Sequence, residues 1–143
     1  MNQSRKLQFL ATGGPTSAQT TTAVIDTLGI DFVSVGLAFS TVAQTTPEIT
    51  IAIGEGDTTS AYTNITELVG GGVGGFTIPA PPTNTSVANT LQFDIDTRTR
   101  KRYLQLSVTP FTTKTVYIFA CNGRPDVGPP AATSDNLMAR IAV

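Results

Sequence analysis

Along most of the chain, apolar and polar residues alternate with a period of two. The alternation is clearest in four stretches, which are centred on Val35, Ile51, Phe93 and Leu106. Because successive side chains of a β-strand point to opposite faces, each stretch predicts a strand with one buried face. We expect further strands over residues 20–25, 113–121 and 137–143, whereas residues 60–68 fit either a strand or a short helix.

Turn-forming residues separate these stretches, and no helix of ten residues is predicted anywhere. Glycine is dense over residues 69–75, Pro110 ends one strand, and Asn122-Gly123 marks a turn. Seven to nine strands of this kind predict an all-β, antiparallel two-sheet sandwich, which we expect to be a jelly roll. An immunoglobulin-like sandwich is the alternative, although tryptophan is absent and Cys121 has no partner cysteine.

The N-terminal segment, residues 1–18, does not show the alternation. It is polar around Gly13-Gly14-Pro15, and segments without an apolar face are ordered only when something fixes them. The sequence therefore predicts an extended N-terminal arm over residues 1–18 and one sandwich domain over residues 19–143. A length of 143 residues suits a single domain.

Composition supports the all-β prediction and limits the chemistry. The chain has 25 threonines, 13 glycines and nine prolines, which are typical of strands and turns. Nine basic against ten acidic residues give a net charge of −1, which argues against nucleic-acid binding, and no apolar run is long enough to span a membrane. Histidine is absent, so we expect no enzyme activity, no metal site and no cofactor. Cys121 is expected to be a buried, inert side chain.

The best candidate for an interaction site is a basic cluster between two predicted strands. Four of the nine basic residues lie within five positions, namely Arg98, Arg100, Lys101 and Arg102. Such a cluster predicts a positive patch that meets an acidic partner surface or a phosphate. The alternative is a solvated strand connection whose charge Asp94 and Asp96 balance.

Two other patterns have weaker functional interpretations. Asp94 and Asp96 place two carboxylates on one strand face, which fits Ca²⁺ binding or glycosidase chemistry but also an ordinary solvent-facing strand. The spacing Gly70-x-Gly72-x-x-Gly75 resembles a dinucleotide fingerprint, yet no helix can follow it, so a loop is expected. The three tyrosines, Tyr62, Tyr103 and Tyr117, lie in different segments, which disfavours a carbohydrate platform without excluding it.

Three stretches resemble capsid decoration proteins, also called cement proteins, of tailed bacteriophages. They are VIDTLGIDFVSV over residues 24–35, ITIAIGEGD over residues 49–57, and RKRYLQLSVTP over residues 100–110. The resemblance spans residues 24–120. Its features are an aspartate followed by a turn with glycine in the first stretch, and basic residues directly before a strand in the third.

The resemblance implies a jelly-roll-like virion protein on the outer surface of an icosahedral capsid. It further implies that the major capsid protein is the partner, that neighbouring capsid subunits are held together, and that the protein is a homo-oligomer, a dimer or a trimer. In this interpretation the arm becomes ordered on binding, and the basic cluster, Arg98, Arg100, Lys101 and Arg102, meets acidic groups on the shell or on a sister subunit. A receptor- or carbohydrate-binding sandwich of a tail or head fibre is the alternative function.

Overall fold

All regular structure in the described residues is β-strand. The computed structural model describes residues 6–16, 19–39, 49–78, 89–111, 114–123 and 137–143. The strands are β1 (Lys6–Thr16), β2 (Thr21–Asp26), β3 (Phe32–Phe39), β4 (Ile49–Thr58), β5 (Ala61–Val69), β6 (Asn89–Asp96), β7 (Tyr103–Pro110), β8 (Lys114–Asn122) and β9 (Leu137–Ala142). The all-β prediction is confirmed.

The strands form two sheets that enclose one core, so the protein is a β-sandwich. The five-stranded sheet has the order β1-β8-β3-β6-β9, and the four-stranded sheet has the order β2-β7-β4-β5. Neighbouring strands are antiparallel except β6 and β9, which are parallel. The pairs β1–β8 and β3–β6 therefore lie in the five-stranded sheet, and the pairs β2–β7 and β4–β5 lie in the four-stranded sheet.

The core follows directly from the period-two pattern. Every second residue of β3 and of β7 is buried, and their intervening residues are mostly half-buried. Burial of such apolar side chains is worth roughly 1.5–3 kcal/mol each. The largest fully buried side chains are Phe39, Phe93, Leu37, Ile49, Ile53, Leu68, Leu91, Ile95, Leu104, Leu106 and Ile118.

The N-terminal segment differs from the extended arm that the sequence predicts. Residues 6–16 form β1, which pairs with β8 at the edge of the five-stranded sheet, so they lie within the sandwich. The pairing is interrupted between Phe9 and Ala11 and again between Gly13 and Thr16. These irregularities shift the side-chain alternation along β1, which explains why the sequence shows no strand period there. Residues 1–5 and 17–18 of the arm lie outside the described residues.

The strand β5 accounts for the ambiguous pattern over residues 60–68. Val69 pairs with Ala52, but Asn64 pairs with Gly54, so the four residues 65–68 of β5 lie opposite a single residue of β4, Ile53. Within this bulge Ile65 and Leu68 are both buried. Their spacing of three residues resembles a helical turn, and the bulge brings both side chains to the core without a helix.

Candidate interaction site at one end of the sandwich

The basic cluster lies in the connection between β6 and β7, residues 97–102, at one end of the sandwich. The β2–β3 connection, residues 27–31, lies beside it and is bonded to it. Thr27 donates from its hydroxyl to the Arg102 carbonyl at 2.7 Å, and the Thr97 N–H donates to the Asp31 carbonyl at 3.0 Å. The Thr97 hydroxyl also donates to the Ile30 carbonyl. These bonds hold both connections against the ends of their strands.

Arg102 is bound in a bidentate pair to Asp26 at the end of β2. Its Nε donates to Oδ1 at 2.9 Å and its Nη2 to Oδ2 at 2.7 Å, and the guanidinium lies 4.8 Å from the centroid of the Tyr103 ring. The hydrogen bond from Arg102, together with the N–H of Leu28, lowers the pKa of Asp26 from 3.8 to about 2. Arg102 is therefore already neutralised within the chain.

Arg98 and Lys101 are paired in the same way. Arg98 donates through Nε to Asp96 Oδ1 at 2.9 Å, and its Nη2 forms an ion pair with Asp96 Oδ2. Lys101 Nζ lies 2.9 Å from Asp57 Oδ2, and this hydrogen bond raises the pKa of Lys101. Its backbone N–H also donates to Glu55 Oε2 at 3.2 Å. Three of the four cations thus have a carboxylate partner.

Arg100 differs from the other three. Among the described residues it forms no ion pair, and its buried Nε has no hydrogen-bond acceptor, although the side chain as a whole is only half-buried. A buried donor without a partner costs roughly 1–3 kcal/mol, and a charged one more. The predicted cluster is therefore a balanced network with one guanidinium that lacks a carboxylate.

The two carboxylates of β6 have different surroundings, although both lie on the outer side of the strand. Asp94 is only 2% exposed and accepts a hydrogen bond from Gln92 Nε2 at 3.1 Å, whereas the Asp96 side chain is 37% exposed and binds Arg98. Within the described part of the chain, no group of three or more potential metal ligands comes together.

The remaining candidate residues are spread over both sheets. Tyr103 and Tyr62 lie on the outer face of the four-stranded sheet on either side of Gly56, whose added Cβ would lie 3.2 Å from Tyr62 Cδ1. Tyr117 is on the five-stranded sheet and is 47% exposed. Cys121 also lies on that sheet and is half-buried, so the prediction of a buried cysteine is wrong. It occupies an outward position next to buried Ala120.

The glycine-dense segment forms a loop, as the sequence predicts. Gly71 and Gly74 adopt positive φ angles of 76° and 77°, which are strained for other residues. Phe76 forms an isolated bridge to Gly70 at the end of this loop. Val73 at the tip of the loop is fully exposed.

The fold and the site define a class of protein, a two-sheet β-sandwich with a charge-balanced loop network at one end. Comparison with protein-family models, with curated proteins and with solved structures finds no match to this chain. In the described ranges no helix has the length and hydropathy of a membrane span.

Proposed function

We propose that this protein is a structural component of a phage virion that binds the outside of the capsid and strengthens contacts between neighbouring capsid subunits. The observation that supports this most directly is Arg100, the cation of the cluster that forms no ion pair among the described residues and whose side chain is only half-buried. A carboxylate on the major capsid protein is the acceptor that we infer for it. Many weak contacts of this kind stabilise a shell because every bound copy adds to the total.

The strand order supports the same proposal through the fold. We infer that the sandwich is a jelly roll, because eight strands that pair 1–8, 2–7, 3–6 and 4–5 in two sheets have the order of two Greek keys wrapped together. The added ninth strand extends one edge. Capsid-associated proteins often use this architecture, although a fold alone does not define a function.

The first experiment counts the copies of this chain in purified virions by quantitative mass spectrometry. A copy number comparable with that of the major capsid protein supports shell decoration. A number matching a tail or portal ring instead supports a fibre component, and absence from the particle refutes the proposal.

The second experiment tests the role of Arg100 with a matched control. Capsids stripped of this protein are mixed with the wild-type chain, with Arg100→Gln or with Arg98→Gln. We expect Arg100→Gln to weaken binding at least about tenfold, which corresponds to 1.4 kcal/mol. Arg98→Gln should bind as the wild type does, because Arg98 is already paired with Asp96. Equal binding by all three proteins contradicts the role of Arg100 while leaving capsid binding itself intact.

A carbohydrate-binding fibre module remains the second candidate. The observation that favours it is the position of Tyr62 and Tyr103 on one sheet face beside Gly56, since aromatic side chains are common at sugar sites. A glycan array separates the two functions. Saccharide binding that is lost in Tyr103→Ala supports this candidate, and no binding to any glycan rejects it.

A further inference from the structure

The strand β2 forms an open edge of the four-stranded sheet. It pairs with β7 on one side, and no described strand lies on its other side. Thr27 continues the register of this pair, and its N–H donates to the Arg102 carbonyl at 2.9 Å. Because hydrogen-bonding direction alternates along an antiparallel strand, Thr22 and Val24 point their backbone groups away from β7, toward the open side.

The other three sheet edges are irregular, and this one is not. The edge strand β1 has two register shifts and contains Gly13-Gly14-Pro15, β5 has the large bulge and an exposed Glu67, and β9 is parallel to its neighbour and has a register shift. Proteins use bulges, proline and charges to prevent edge strands from pairing with other chains. The strand β2 has none of these devices before its last residue, Asp26.

The residues of β2 favour continued pairing. The sequence TTAVID is rich in β-branched residues, matches β7 one residue for one over its whole length, and exposes Thr22 and Val24 on the outer face, the latter to 39%. Its one charged residue, Asp26, is bound to Arg102 at the strand end. An uninterrupted, uncharged edge of this kind is a template for another strand.

We propose that β2 pairs antiparallel with β2 of a second copy of this chain, which gives a two-fold dimer with a continuous eight-stranded sheet. A second copy fits because it presents the same regular edge, and a two-fold axis uses both edges and leaves neither open. In the joint sheet, the core-facing side chains of both copies lie on the same face only if odd-numbered residues pair with odd-numbered residues and even with even. An axis through Ala23 meets this condition, with Thr22 opposite Val24.

Charge is compatible with this register. Each Asp26 lies opposite Thr20 of the other copy, so the two carboxylates are separated by six residues, about 20 Å along the strand at 3.4 Å per residue. The pairing therefore creates no close contact between like charges. It concerns the isolated chain and does not depend on the capsid role proposed above.

The test measures the oligomeric state of the full chain by sedimentation velocity over a range of concentrations. The wild type should form a dimer in a concentration-dependent way. Val24→Pro removes one N–H from the open side without removing a bond to β7, and it should weaken dimerisation at least about tenfold. The melting temperature of the monomer should remain close to that of the wild type, since proline is tolerated on edge strands.

Two further variants make the test decisive. Val24→Lys places two lysines near each other across the axis, so it should also give a monomer, and it replaces the proline variant if that variant fails to fold. Gln105→Lys is the control, since Gln105 is the partner of Val24 on β7 and lies one strand inside the edge. A monomeric or trimeric wild type overturns the proposal, as does a dimer that survives both Val24 variants or one that Gln105→Lys disrupts equally.

Discussion

The replacement of Gly36 by alanine tests the packing on the outer face of the five-stranded sheet. Gly36 lies in the middle of β3 and pairs with Phe119 on β8. An alanine Cβ at position 36 would overlap two carbons of the Phe119 ring, and it would lie 2.8 Å from a third, Cδ2. The aromatic ring therefore occupies the space above the glycine, and the substitution must displace it.

Two opposing effects determine how much Gly36→Ala changes the free energy of unfolding. Forcing a methyl group into a filled site costs about 1–3 kcal/mol. Alanine is in turn favoured over glycine in a strand by about 0.5–1 kcal/mol, because glycine loses more backbone entropy on folding. We therefore expect Gly36→Ala to lower the free energy of unfolding by up to about 2.5 kcal/mol in the wild-type background.

A double-mutant cycle with Phe119→Ala separates the two effects. Without the ring, only the backbone effect remains, so Gly36→Ala should raise the free energy of unfolding by about 0.5–1 kcal/mol. Urea denaturation of the four proteins measures both values, and Ala38→Gly, on the same face of β3, measures the backbone effect independently. If Gly36→Ala is equally destabilising with and without the ring, the steric explanation is refuted.

Three further predictions concern a buried amide, an ion pair and the glycine loop. Asn89 is 0% exposed, and among the described residues neither amide atom has a hydrogen-bond partner, so Asn89→Leu should raise the free energy of unfolding by about 1–3 kcal/mol in urea denaturation. The pKa of Asp26 is lower in the folded chain, so its pairing with Arg102 stabilises the fold above about pH 4 and is lost as the pH falls through about 2. The stability difference between wild type and Asp26→Asn, measured against pH, should therefore shrink over this range. Gly75→Ala would place a Cβ against the Val69 carbonyl oxygen and 3.0 Å from its carbon, so it should lower the melting temperature and cost about 3 kcal/mol.

Matched variants define the outcomes that contradict these predictions. Asn64→Leu, at an exposed position, should change stability by less than about 0.5 kcal/mol. An Asn89→Leu variant that is less stable than the wild type contradicts the prediction. A stability difference for Asp26→Asn that stays constant from about pH 5 to pH 2 contradicts the lowered pKa. Gly72→Ala meets mainly the movable Val69 side chain, so a loss as large as that of Gly75→Ala contradicts the backbone explanation.

Strands with an uninterrupted alternation were predictable, and strands with bulges were not. The regular pairs β3–β6 and β4–β7 match residue for residue, and their sequences show the period without a break. The strand β1 has two register shifts, and its sequence predicts an arm instead of a strand. A bulge adds residues to one strand and not to its partner, so the pattern loses its phase while the pairing continues.

The chemistry of the basic cluster was less predictable than its position, because its counter-charges are distant in the sequence. Asp26 and Asp57 precede Arg102 and Lys101 by 76 and 44 residues, and they reach these cations only because β2 and β4 both pair with β7. The nearby carboxylates that the sequence offers as balancing charges are Asp94 and Asp96. Asp96 pairs with Arg98 of the cluster, whereas Asp94 accepts a hydrogen bond from Gln92. Strand pairing therefore decides which cations are available to a partner. Among the described residues it leaves Arg100 without a carboxylate, although nothing in the sequence distinguishes Arg100 from the neighbouring basic residues. A cluster of basic residues in the connection between two strands should be interpreted as a binding site only after the carboxylates at the ends of the neighbouring strands are known.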